Sequence, residues 1–181
     1  ITASNLANWL AALGKTEAAR ALGEDTLERR RRVLGEDHPD TLITASNLAN
    51  WLAALGKTEA ARALGEDTLE RRRRVLGEDH PDTLRSASNL VNWLGALGKT
   101  EAAQALGQDT LERRRRVLGE DHPDTLRSAS NLVNWLGALG KTEAAQALGQ
   151  DTLERRRRVL GEDHPGTLRS ASNLNGLRGD A

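Results

Sequence analysis

The sequence predicts an all-α fold in which helix hairpins stack in series, an α-solenoid. Three observations support this prediction: the chain repeats itself every 42 residues, apolar residues in each copy recur at intervals of three and four, and each periodic stretch ends at a glycine. The apolar spacing matches one face of an α-helix, and a repeat of this length accommodates one helix hairpin. A single hairpin buries little surface, so it depends on stacking against its neighbours.

The repeat divides the 181 residues into four full copies and a remainder. The second copy is identical to the first, the third carries six substitutions, and the fourth differs from the third only by Gly166 in place of Asp124. The copies are residues 1–42, 43–84, 85–126 and 127–168, followed by a partial C-terminal helix at 169–181. We therefore expect a single domain that spans residues 1–181.

The first half of each copy predicts one amphipathic helix. Its apolar residues share one helix face because they are three or four positions apart. In the first copy they are Ala3, Leu6, Ala7, Leu10 and Leu13. Gly14 follows directly, and glycine just beyond a periodic stretch is a common C-terminal signal of a helix.

The second half of each copy predicts a longer helix over residues 17–34, ended by Gly35. This helix contains four consecutive arginines, residues 29–32 in the first copy. Asp25 and Glu28 each precede an arginine by four residues, a spacing that stabilises an exposed helix surface. We expect the arginine runs to form a solvated, salt-bridged surface. The alternative is a phosphate-binding patch, but the chain has no Phe or Tyr to stack on nucleic-acid bases.

The segment that joins one copy to the next predicts a helix cap. His38 precedes Pro39, and proline is favoured in the first turn of a helix. A metal site is the alternative for the histidines, which recur at His80, His122 and His164. Packed helices lie about 8–10 Å apart, so equivalent histidines of different copies do not converge on one ion at about 2 Å. We expect no metal site.

Composition and motifs exclude several other functional classes. The chain has no Cys, which excludes disulfides and thiolate chemistry, and its 26 basic residues balance 26 acidic ones. No serine lies in a nucleophile elbow, and Gly14-Lys15-Thr16 lacks the upstream glycine of a phosphate-binding loop. We therefore expect no enzyme, no cofactor, no nucleic-acid partner and no membrane partner. Because no targeting signal or long apolar stretch occurs, we expect a cytoplasmic protein.

Four motifs in each copy together resemble a known repeat family. They are Asn5-Leu6-Ala7, Leu13-Gly14-Lys15, Glu17-Ala18-Ala19 and residues 33–42, which contain Leu-Gly-x-x-His-Pro. The pattern is similar to the 42-residue tetratricopeptide repeats of the kinesin light chain type, as found beside bacterial NB-ARC or STAND signalling NTPases. The resemblance covers all four copies. It implies a right-handed solenoid that binds proteins or peptides on its concave face.

Two positions depart from this family pattern. Thr16 and Gly23 stand where the family commonly has aromatic residues. Glycine inside a helix costs about 1 kcal/mol relative to alanine, so Gly23 requires an explanation. One hypothesis is that a tryptophan in each copy fills the space of the missing aromatic; the alternative is sequence drift with a loosely packed helix. The tryptophans are Trp9, Trp51, Trp93 and Trp135.

The resemblance also identifies candidate ligand-binding residues on the first helix of each copy. Asn5 and Asn8 fall at positions that, in the family, often bond to the backbone of an extended peptide. An amide side chain suits this role because it both donates and accepts hydrogen bonds. The equivalent residues are Asn47, Asn50, Asn89, Asn92, Asn131, Asn134 and Asn173.

Arginines accompany these asparagines in the C-terminal half of the chain. Arg85, Arg127 and Arg169 occupy the position that Ile43 holds in the second copy. A row of guanidinium groups beside the asparagines suits a carboxylate ligand. The alternative is that these arginines only solvate the start of each helix.

We therefore expect a non-enzymatic scaffold that binds a protein or peptide with acidic or carboxylate groups. In this interpretation the chain is the partner-docking or sensor region of a larger signalling protein. A second interpretation is a structural solenoid that self-associates end to end into an oligomer or filament, because near-identical units without a polar terminal cap expose stacking surfaces. The exact duplication also fits a designed or consensus-built array.

Overall fold

The computed structural model describes residues 2–179, which contain nine α-helices and no strand. The helices are α1 (Ala3–Ala12), α2 (Thr16–Leu34), α3 (Pro39–Ala54), α4 (Thr58–Leu76), α5 (Pro81–Ala96), α6 (Thr100–Leu118), α7 (Pro123–Ala138), α8 (Thr142–Leu160) and α9 (Pro165–Gly179). We call the odd-numbered helices first helices and the even-numbered ones second helices. Ile1, Asp180 and Ala181, included in the predicted first copy and last helix, lie outside the described residues.

The chain divides into two compact units, Ile1–Leu97 and Gly98–Ala181. In the first unit each helix from α1 to α5 packs against the next, and α3 contacts both α1 and α5. In the second unit each helix from α6 to α9 packs against the next, and α7 contacts α9. Each unit therefore combines consecutive antiparallel hairpins with contacts between neighbouring first helices. A single domain over the whole chain stays a prediction.

The helix boundaries follow from the signals in the sequence. His38 precedes α3, and its Nδ1 atom accepts a hydrogen bond from the Asp40 backbone N–H at 3.1 Å, with Pro39 in the first turn. His80, His122 and His164 form the same cap before α5, α7 and α9. The predicted capping role of the histidines is therefore confirmed.

The turn inside each hairpin requires glycine. Gly14 has a φ of +75°, in the left-handed region that favours glycine. The Lys15 N–H donates to the Leu10 carbonyl at 2.8 Å and the Gly14 N–H to the Ala11 carbonyl at 3.0 Å. These two bonds form a Schellman motif, which satisfies the last carbonyls of α1 and reverses the chain into α2.

Tryptophan rings pack on the unusual glycines of the second helices. A Cβ atom built on Gly23 would lie 2.6 Å from Trp51 Cζ3, and one on Gly65 would lie closer still to Trp93 Cζ3. Such distances are far below van der Waals contact, so only glycine allows the ring to lie there. Trp51 and Trp93 are each 8% exposed. The space-filling hypothesis is therefore confirmed for these two rings, against sequence drift.

The same contacts correct one part of that hypothesis. Each ring packs on the glycine of the preceding copy, so the contact joins two repeats and does not fill a space within one. Trp9 lies in the first copy and is 54% exposed. The expectation that all four tryptophans fill such a space is wrong for Trp9, and for Trp135 it stays a prediction.

At the boundary between the fourth copy and the partial fifth, a leucine lies beside the glycine of the second helix. A Cβ atom on Gly149 would lie 3.2 Å from Leu174 Cδ1 of α9. The buried cluster around α7 consists of Leu111, Ala129, Leu132, Val133, Leu136 and Ala145, with Leu148 and Leu177 packed against it. Leu177 holds the position of tryptophan in the partial fifth copy.

One arginine of each internal run is buried, contrary to the expectation of a fully solvated surface. Arg72 is 2% exposed and donates to the Ser86 hydroxyl at 2.5 Å and to the carbonyl oxygens of Asp82 and Leu42 at 3.1 and 3.3 Å. Burial lowers the pKa of Arg72, although a guanidinium keeps its proton. Arg114 and Arg156 are buried in the same way.

The correction has a simple physical reason. Four consecutive helical residues point in four directions, so one of them faces the neighbouring first helix. The first helices α3 and α5 offer carbonyl oxygens and α5 also offers a hydroxyl as acceptors, so Arg72 joins α4 to both of them. Others remain exposed in ion pairs as expected; Arg29, for example, pairs with Asp25 at 3.0 Å.

Replacing Gly65 by alanine is expected to destabilise the protein, although alanine favours helices by about 1 kcal/mol. The new methyl group would overlap the Trp93 ring, and such overpacking costs about 1–3 kcal/mol. Thermal and denaturant unfolding should show a net loss. Gly149→Ala is the matched control and should lose less, because its neighbour is a Leu174 methyl group at 3.2 Å. A Gly65→Ala protein as stable as the parent would contradict the packing account.

Arg72→Ala is expected to lower the free energy of unfolding by about 3 kcal/mol, since it removes three hydrogen bonds and leaves a cavity. Arg29→Ala is the control. Its exposed ion pair with Asp25 contributes about 0–1 kcal/mol. Urea unfolding of both variants measures the difference. Equal losses would mean that the buried guanidinium does not join the repeats.

Candidate peptide-binding site

The candidate asparagines lie in pairs along the first helices. Asn47 and Asn50 are three residues apart on α3, so both lie on one side of that helix. Asn5 and Asn8 on α1, Asn89 and Asn92 on α5, and Asn131 and Asn134 on α7 repeat this arrangement. All eight side chains are exposed or half-buried.

Hydrogen bonds link these asparagines across neighbouring first helices. Asn47 Nδ2 donates to Asn8 Oδ1 at 3.3 Å, and Asn89 Nδ2 donates to Asn50 Oδ1 at 3.1 Å. In the second unit Asn173 Nδ2 donates to Asn134 Oδ1 at 3.1 Å. We call these three contacts the asparagine pairs. The residues identified from the sequence are thus brought together, two helices at a time.

Each asparagine pair presents complementary hydrogen-bonding groups. In the pair of Asn50 and Asn89, the contact uses the Asn50 oxygen and one N–H of Asn89. The Asn50 amide group keeps its donors, and the Asn89 oxygen keeps acceptor capacity. A peptide backbone alternates one N–H donor with one C=O acceptor, which matches this arrangement without regard to the peptide's sequence.

The three candidate arginines lie on the first helices beside the asparagines. Arg85 is four residues before Asn89, and this spacing gives the two side chains a common helix surface. However, Arg85 Nη2 lies 2.7 Å from Asp82 Oδ1 of its own helix. Arg127 forms the same ion pair with Asp124, also at 2.7 Å. Two of the three cations are therefore already paired.

Arg169 differs from the other two. It is exposed on α9, and Gly166 holds the position of Asp82 and Asp124. Within residues 2–179 no ion pair joins Arg169 to an acid. The sequence reasoning overlooked the pairing of Arg85 and Arg127, although an acid three residues earlier in the same helix was the available signal.

Other ion pairs join consecutive repeats away from the asparagines. Asp37, after α2, bonds to Arg74 of α4 at 2.7 Å and to Arg71 at 3.0 Å. These bonds, led by that from Arg74, hold the pKa of Asp37 below its usual range. Glu36 also pairs with Arg71. These charges are used between repeats and do not converge on a ligand site.

Neither a metal-binding cluster nor a membrane-spanning helix is found in the described part of the chain. No group of three or more His, Asp or Glu side chains among residues 2–179 is arranged to hold a metal ion. None of the helices in that range has the length and apolar character needed to cross a bilayer.

A family model for the tetratricopeptide repeat matches residues 1–74, 40–116 and 92–158. These matches together span most of the chain. The chain belongs to the tetratricopeptide repeat family. The resemblance predicted from the repeat motifs is therefore confirmed. No curated protein matches the chain.

Solved structures share the fold at low sequence identity. A crystal structure of a kinesin light chain protein from Podosopora anserina, with nearly identical TPR-like repeats, has a TM-score of 0.87 at 24% identity, covering 98% of this chain and 86% of that chain. A crystal structure of BtubC (BKLC) from P. vanneervenii has a TM-score of 0.85 at 22% identity. The match covers 98% of this chain and 70% of that chain. These similarities confirm the predicted fold class, an all-α solenoid of tetratricopeptide hairpins.

Proposed function

We propose that the chain is a non-enzymatic scaffold that binds an extended segment of a partner protein along the asparagine-bearing side of its first helices. Tetratricopeptide repeats generally serve as non-catalytic interaction scaffolds, which supports the class of function. The asparagine pairs carry the finer proposal, because they repeat the same donor and acceptor from one first helix to the next.

The regular spacing favours an extended peptide over a folded surface. A bound backbone offers hydrogen-bonding groups at regular intervals, and so do the asparagine pairs. In the parent protein this segment would act as a partner-docking or sensor region of a signalling molecule, as proposed from the resemblance to repeats beside NB-ARC and STAND NTPases. The arginines of the later first helices favour a partner with acidic groups.

Self-association is the second candidate, and exposed apolar side chains of the first copy favour it. Residues 3–12 of α1 and 45–54 of α3 are identical in sequence. However, Trp9 of α1 is 54% exposed, whereas the equivalent Trp51 of α3 is only 8% exposed. Leu13 at the end of α1 is 73% exposed. A second copy that covered this apolar surface would extend the stack into an oligomer.

Selection from a displayed library of random peptides, followed by fluorescence anisotropy with a selected peptide, tests the proposal. Asn8→Ala combined with Asn50→Ala removes one member from two asparagine pairs of the first unit. We expect about a tenfold loss of affinity, because each lost hydrogen bond contributes about 0.5–1.5 kcal/mol.

Glu28→Ala combined with Glu70→Ala, on exposed positions of the second helices α2 and α4, is the matched control and should bind as the parent does. The reverse pattern, with binding lost in this control and kept in the asparagine variant, would contradict the proposal. Sedimentation over a range of protein concentrations distinguishes the second candidate: a constant monomer mass opposes self-association, and a mass that rises with concentration supports it.

A further inference from the structure

Ion pairs join consecutive second helices within each unit. Asp37, which follows α2, bonds to Arg74 of α4 at 2.7 Å, and the same pair joins α6 to α8. The equivalent acid after α8 is Asp163, and the equivalent arginine of α2 is Arg32. Both are exposed, and neither forms an ion pair within residues 2–179. The fourth copy therefore holds the acid of this contact without its arginine, and the first copy holds the arginine without its acid.

A pocket of about 280 Å³ lies between α1 and α2 of the first copy, and Arg30 and Val33 contribute to its lining. Arg72, the equivalent of Arg30 in the second copy, donates to the carbonyl oxygen of the buried Leu42 at 3.3 Å. Leu168 of α9 holds the position of Leu42, and it is 56% exposed where Leu42 is 2% exposed. The chain thus contains an uncovered leucine and, beside the equivalent arginine, an open apolar pocket.

The contact between a ring and a glycine is incomplete in the same two copies. Trp9 of the first copy is exposed, whereas the equivalent ring of α3 is buried on a glycine of α2. Gly149 of the fourth copy has a Leu174 methyl group beside it, and Leu177 of α9 stands at the tryptophan position. The first copy therefore presents a ring without a glycine, and the fourth copy has a glycine that the next helix covers with leucine.

α9 differs from the other first helices on one side only. Leu174 is buried on the side that faces α8. In contrast, Asn175 and Arg178 stand at the positions of Val133 and Leu136, which are buried in α7. α9 thus keeps the apolar residue that packs on α8 and lacks those that pack on a second helix of its own copy. Helices with few buried apolar contacts are the ones that open most readily.

We propose that two molecules stack in series: the first copy of one molecule docks on the fourth copy of the other, and its α1 takes the place of α9 beyond the first turn of that helix. Trp9 of the incoming molecule then lies on Gly149. Leu168 enters the pocket of the first copy, and Asp163 pairs with Arg32. This inference rests on the second candidate function, self-association, and does not depend on peptide binding.

A second molecule of this chain is the occupant because it supplies every complement at once. The acid and the exposed leucine lie on the fourth copy and α9, whereas the arginine, the pocket and the ring lie on the first copy. Their register is the one already formed between neighbouring copies within each unit. Since α9 and an incoming α1 compete for the same surface of α8, α9 limits the assembly.

Charge reversal across this interface gives one test, read by sedimentation equilibrium at low ionic strength. Asp163→Arg and Arg32→Asp should each weaken association about tenfold, because like charges then meet. An equimolar mixture of the two variants should associate as the parent does, since opposite charges meet again at each mixed junction. Glu70→Arg makes the same charge change as Asp163→Arg on an exposed position of α4, and it should leave association unchanged.

The exchange of α9 is tested by a substitution with the opposite effect. Leu174→Ala removes the buried contact of α9 with α8 and should strengthen association about tenfold, because α9 then competes less well. Trp9→Ala should weaken association about tenfold and cancel the gain when it is combined with Leu174→Ala. Circular dichroism checks that each variant keeps its helices.

Different failures identify different errors. A parent that stays monomeric up to millimolar concentration overturns both the inference and the second candidate function, while peptide binding keeps its own test. If the parent associates and the mixture is as weak as the single variants, another surface is responsible and only the inference is wrong. If Leu174→Ala fails to strengthen association, α9 is not exchanged, which also overturns the inference.

Discussion

The contact between a tryptophan ring and the glycine of the preceding repeat is the constraint on which the rest of the structure depends. Tryptophan is the only aromatic residue in the chain, and a buried aromatic removes about 150–250 Å² from water, which at about 25 cal/mol per Å² contributes several kcal/mol. Trp51 and Trp93 make this contribution across a repeat boundary. A hairpin is therefore stabilised by several kcal/mol through its contact with the neighbouring repeat.

The same boundary sets the geometry of the candidate site. Each asparagine pair joins two first helices, so the distance between Asn50 and Asn89 depends on how closely α3 and α5 pack. Arg72 of α4 also holds α3 and α5 together, since it bonds to carbonyl oxygens near the starts of both helices. The site is thus a property of stacked repeats, and an isolated hairpin lacks it.

Local features of the structure could be predicted from the sequence, whereas contacts between repeats could not. Glycine and His-Pro signals located the turns and the caps, because these depend on residues within the same short segment. The angle between packed helices determines which repeat each tryptophan ring contacts and which arginine of a run is buried. The period of the sequence does not specify that angle. The asparagines were identified through the family resemblance, and the bonds within each pair emerged only from the packing of the first helices.

Amide hydrogen exchange of α1 and α3 tests the dependence on neighbours most directly, because residues 3–12 and 45–54 are identical in sequence. Peptic fragments of the two segments have the same mass and contribute to one isotope envelope. If the contact between repeats supplies the stability, the envelope splits into a fast-exchanging population from α1 and a protected one from α3. In the Gly23→Ala variant the new methyl group disturbs the packing of Trp51. The protected population from α3 should then exchange faster. A single envelope throughout exchange would contradict the account.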